Sequence, residues 1–132
     1  MQLTKDLTEK ILSIYVGSET LKNYPEIEIY VVKEHDYFDH SSCVHGTYFQ
    51  RKQAEEDCPN LTAPLLFGSM TSYTLHHFTI EDILRGKPGH ISEFNAGMVL
   101  LDFRSSLRKY LQWMDRKNLQ EKENQSEKHT LY

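Results

Sequence analysis

The stretch Ile27–Phe49, IEIYVVKEHDYFDHSSCVHGTYF, restricts the fold of this chain more than any other. Ile27, Ile29 and Val31 alternate with Glu28, Tyr30 and Val32, the period of a β-strand, and the β-branched and aromatic content suits a pleated surface. His35–Ser41 is polar, and Ser42–Phe49 resumes the strand pattern. So short a link suits an antiparallel hairpin better than a parallel crossover. A hairpin is marginal alone, so the remainder of the chain must supply a further strand and helices to cover it.

Before the hairpin, residues 4–16 read as a helix capped by Thr4, with Leu3, Leu7, Ile11, Ile14 and Tyr15 on one stripe and Gly17 at its end. Ser18 caps a short turn through Leu21, and Tyr24-Pro25 forces extended backbone. After it, Arg51–Cys58 reads as a short helix ending at Pro59, with Ala54 and Cys58 facing inward and Glu55, Glu56 and Asp57 in solvent. Asn60–Ser72 reads as a loop around an apolar Leu65-Leu66-Phe67.

Tyr73–Phe78 is a third strand, and Thr79 with Asp82 opens a short helix through a capping-box pattern that Gly86 ends. Lys87-Pro88-Gly89 is a turn. From Ser92, the spacing of Leu100, Phe103, Leu107, Tyr110 and Met114 predicts a helix of about 25–30 residues. The order α-β-β-α-β-α-α predicts an α+β domain over residues 1–120. It holds an antiparallel sheet of at least three strands, packed by helices on one face and closed by the long C-terminal helix. Residues 121–132, charged and polar, are expected to be a flexible tail.

At 132 residues the chain fits one domain that buries roughly two-thirds of its unfolded surface. Its net charge of −4 argues against general affinity for nucleic acid, although Arg104, Arg108, Lys109, Arg116 and Lys117 cluster late in the chain. No run approaches the length of a membrane span, and the N-terminus lacks the apolar core of a signal peptide. Two cysteines, Cys43 and Cys58, are too few for a disulfide framework. A reducing, cytoplasmic setting is expected.

The hairpin loop is dense in metal-ligand side chains: His35, Asp39, His40, Cys43 and His45. Zinc or another divalent cation held there would support a metal-dependent hydrolase or nuclease. Against this, no paired C-x-x-C and no H-E-x-x-H occurs. A nucleophilic pair of Cys43 with His45 or His76 would need an exposed thiolate and a third, orienting group. No phosphate-binding glycine loop and no G-x-S-x-G elbow is present. The leading expectation is therefore no catalytic residue, no cofactor, and a contact surface for another protein. Tyr37, Phe38, Asp39 and His40 are its anchors, with Trp113 on the long helix as a second contact. Leu111, Trp113 and Leu119 lie off the apolar seam and are expected to pair with another copy of the chain.

IYVVKEHDYFDHSSCVHGTYFQRKQAEEDC resembles a pattern of small phage and bacterial proteins, in which a VYVV-type strand, a loop with Asp, a strand ending in Phe and a helix with an AEE-like stretch follow one another. SYTLHHFTIED is similar to the strand that completes this β-β-α-β unit. The resemblance spans about residues 27–82 and carries no catalytic residue. It implies a phage or mobile-element origin, and with it inhibition of a host enzyme or defence complex.

Overall fold

The computed structural model describes residues 1–14, 18–61, 70–85 and 98–130. The expectations for Tyr15, Gly17, Leu65-Leu66-Phe67, Gly86, Lys87-Pro88-Gly89 and the start of the long helix at Ser92 lie outside the described residues.

Helix α1, Lys5–Ser13, starts where Thr4 Oγ1 accepts the Leu7 N–H at 3.2 Å. That bond satisfies one of the N–H groups that a first turn leaves free. The stripe of α1 buries Ile11, with Leu7 packed beside it and Leu3 buried just ahead of the helix, but Ile14, expected on the same stripe, is the extended residue that ends the helix and is exposed. Helix α2 is the single turn Ser18–Leu21. Strands β1 (Glu28–Asp36) and β2 (Ser42–Tyr48) form the expected antiparallel hairpin, and β3 (Thr71–Thr79) pairs antiparallel on the other side of β1. The sheet order is β2-β1-β3, so the most regular apolar strand is central and both others are edges. β1 and β2 slip register between Val32 and Lys33, leaving His45 as the extra residue of a β-bulge.

The sheet has two unlike faces. On the first, Ile29, Val31 and Phe78 join Ile11, Leu21, Ile27, Ile80, Ile83, Phe103, Leu107 and Tyr110 in the main core. α4, Ile80–Arg85, closes one end of this core. Its Thr79 N–H donates to Asp82 Oδ2 and Asp82 N–H donates back to Thr79 Oγ1, the reciprocal cap expected from the sequence. The second face carries a smaller core of Val32, Tyr48, Ala54 and Cys58, with Tyr30, Leu61, Tyr73 and Leu75 against it. Helix α3 (Arg51–Asp57) and the 3-10 turn Pro59–Leu61 cover it. Helices thus pack both faces rather than one, because Tyr30, Val32 and Leu75 are apolar where a solvated face would be polar.

Helix α5, Phe103–Thr130, follows a helical turn at 98–101. Bonds from Asp102 N–H to the Met98 carbonyl and from Ser106 N–H to the Asp102 carbonyl carry the backbone across the junction. Its seam is the one expected: Phe103, Leu107 and Tyr110 are buried, with Leu100 and Met114 packed beside them. The Tyr110 hydroxyl, inside this core, donates to the Leu3 carbonyl at 2.8 Å and fixes α5 against the N-terminal segment. Lys5 and Asp115 add a half-exposed ion pair at 2.9 Å between α1 and α5.

Candidate functional site

Two surfaces gather side chains that could act on something outside the chain. The first is the hairpin tip. Asp36 N–H donates to the Ser41 carbonyl and closes the loop. Asp36 Oδ1 accepts the Phe38 N–H at 2.8 Å and Asp39 Oδ1 accepts the Ser41 N–H at 2.9 Å, two successive Asx turns. His40 between them has φ 58°. That is left-handed backbone, which costs a non-glycine residue and needs this support. Hydrogen bonds from Ser41 hold the Asp39 carboxyl below its ordinary range, so it is ionised. Tyr37 N–H donates to the Met70 carbonyl, and Ser72 Oγ donates to the Tyr37 hydroxyl, tying the tip to the start of β3. On this frame Phe38 stands 83% exposed, beside Tyr37 at 49% and Met70 at 48%.

The ligand-type residues of the hairpin do not converge. His35 lies on the first face, where its Nε2 is 2.8 Å from Thr74 Oγ1, which in turn lies 2.8 Å from His76 Nε2. Cys43 lies on the second face, its thiol donating to Glu34 Oε2 at 3.8 Å. Tyr73 donates to the other oxygen of Glu34 and meets the His45 ring edge-on. Asp39 and His40 sit at the tip, between the two strands. Among the described residues no group of three or more His, Cys, Asp or Glu side chains is placed to hold a metal ion. Partial desolvation and the neighbouring Glu34 charge raise the Cys43 thiol above its ordinary value, which disfavours the thiolate that a nucleophile or a zinc ligand needs. His76 and Cys43 are on opposite faces of the sheet. His77 stacks on Tyr30 and approaches Glu28 at 3.4 Å.

The second surface was not visible in the sequence. Where α5 passes α3 and the free edge of β2, a cleft of about 450 Å³ opens, with a smaller extension of about 100 Å³ along residues 45–48. Tyr48, Gln53, Asp57 and Lys109 line both. Gly46 makes room for this arrangement, since a Cβ there would stand 2.5 Å from the Tyr48 hydroxyl. Tyr48 donates to Asp57 Oδ2, and burial followed by that carboxylate pushes its phenol well above the ordinary value. Glu56 accepts from the Lys117 ammonium and from the Trp113 indole, the latter at 2.6 Å, and these two bonds lower its carboxyl below the usual range. Glu55 pairs with Arg51 at 3.0 Å. The three carboxylates expected to form a solvated face are thus each engaged, and two of them line the cleft. Trp113, expected as a contact for another copy, is half-buried, stacks on Tyr110 and has Lys117 over its ring at 5.7 Å. Leu119 is exposed.

Beside the smaller extension, Thr47 is buried and its Oγ1 has no hydrogen-bond partner among the described residues. A buried hydroxyl left unbonded costs about 1–3 kcal/mol. Thr47→Val, which keeps the shape and removes the hydroxyl, is therefore expected to stabilise the protein by about 1 kcal/mol. The midpoint of urea unfolding reads this directly, and a loss of stability of that size would show the hydroxyl to be bonded after all.

Compared with known protein families, with curated proteins and with solved structures, the chain matches none. Among the described residues no helix is long and apolar enough to cross a membrane.

Proposed function

We propose that the chain is a small protein-interaction module whose principal contact is the hairpin tip. The observation that carries this reading is Phe38: a large aromatic ring almost wholly in water, on a loop held by two Asx turns and a left-handed residue. Aromatic anchors supply most of the binding energy at protein interfaces, and a preformed loop loses little entropy on docking. Tyr37 and Met70 extend the same apolar patch, and the ionised Asp39 beside His40 supplies a polar rim. The partner is a protein with an apolar pocket of aromatic-ring size. The resemblance to small phage and bacterial proteins favours a host enzyme or defence complex as that partner, held in an inhibited state.

The test is co-purification of the full chain from host lysate, followed by reconstitution with the purified partner. A stoichiometric complex that survives gel filtration is expected. A chain that elutes as a monomer, alone, from every lysate that matches its source would contradict the reading.

A further inference from the structure

We propose that the cleft between α3 and α5 binds a small oxyanion ligand, a phosphate ester or a polycarboxylate, between Lys109 and Arg116. The inference is independent of the hairpin-tip reading and rests on charge, partners and volume. A cleft of about 450 Å³ is of the size that holds small molecules, but such sites are usually lined by apolar side chains. This one is lined by Tyr48, Gln53, Gln112, Gln120, Trp113 and charged groups, so a ligand must bring polar atoms to match.

The charges indicate the sign. Lys109, Arg116 and Lys117 line the main cleft against Glu56 and Asp57, three cations to two anions in a chain whose net charge is −4. Glu56 is neutralised within the fold by Lys117 and Trp113, and Asp57 is covered by the Tyr48 hydroxyl. The side chains of Lys109 and Arg116 have no hydrogen bond or ion pair among the described residues. They are seven positions apart on α5, roughly 10 Å along the helix axis, close enough for one ligand bearing two anionic groups. The guanidinium offers a bidentate fork for an oxyanion and the ammonium a mobile point charge. The extension adds Ser105, and Asp102 lines it as well.

Trp113 is the only tryptophan of the chain and lines the cleft, so its fluorescence reports occupancy. The full chain is titrated with inorganic pyrophosphate and, separately, with citrate, against sodium chloride at matched ionic strength. Saturable one-to-one quenching or enhancement at millimolar concentration or below is expected with at least one probe, and none with chloride. Lys109 and Arg116 are both at exposed positions. Changing both to Gln is expected to weaken binding by about tenfold or more, whereas Arg116→Lys, which keeps the charge, loses only severalfold. Unchanged circular dichroism in the double variant confirms that the loss is at the site. The proposal is overturned if neither probe gives a saturable response, if the double variant binds as tightly as the parent, or if an oligoglutamate peptide binds where both small probes fail.

Discussion

Phe49→Ala is expected to cost about 3–5 kcal/mol, the range for removing a fully buried aromatic ring. Phe49 is 1% exposed and sits directly after β2, where the hairpin turns into α3. Its ring meets Phe103 edge-on at 5.3 Å between centroids and Tyr110 at 5.4 Å, and its N–H donates to Gln53 Oε1. Two rings of α5 therefore lean on one ring of the hairpin, and truncation removes that contact from both. Domains of this size are stable by only about 5–15 kcal/mol in total, so the variant is expected to be a large part of the way to unfolding at room temperature. Urea unfolding followed by circular dichroism measures it. Phe49→Leu, which keeps most of the volume, should retain most of the stability. A loss below about 1 kcal/mol for the alanine variant would mean that α5 does not depend on the hairpin in the way the packing implies.

The elements that were legible in the sequence are those decided by near neighbours. The alternation Ile27, Ile29, Val31 marks β1 because a strand's period is two, and the Thr79–Asp82 pair marks the start of α4 because both halves of the cap lie three residues apart. The seam Leu100, Phe103, Leu107, Tyr110 and Met114 is legible for the same reason. The exposed tip was legible in part. A polar loop with Tyr37 and Phe38 implies exposure, but the two Asx turns and the φ of His40 that hold it do not follow from composition.

The cleft was illegible because it is made by contacts between residues far apart in the chain. Glu56 reads as a solvated carboxylate on a short helix until α5 brings Trp113 and Lys117 to it. Trp113 reads as an outward aromatic until Tyr110 and Glu56 are seen to occupy it. The bulge at His45 has a similar origin, since register is set by pairing and not by the strand's own pattern. His35 and Cys43 look like members of one cluster in the sequence, yet alternation sends them to opposite faces once β1 and β2 are paired.

Phe38 is the counterpart of Phe49, the same side chain in the opposite environment. Phe38→Ser removes almost no buried surface. Its effect on stability is therefore expected to stay within about 0.5 kcal/mol. Its effect on binding is expected to be large. Truncation of a central aromatic anchor costs about 2 kcal/mol or more, and with Tyr37→Ser in addition the partner's affinity should fall by at least about a hundredfold. The two readouts separate a contact residue from a structural one, because a misfolded variant would lose both. The measurement that tests the account most directly is the dissociation constant of the reconstituted complex for the parent chain and for this double variant, alongside their unfolding midpoints. Midpoints that correspond to a stability difference of no more than about 1 kcal/mol, the size of the lost Ser72–Tyr37 hydrogen bond, with a loss of affinity of about a hundredfold are expected, and near-identical affinity would contradict the hairpin tip as the binding surface.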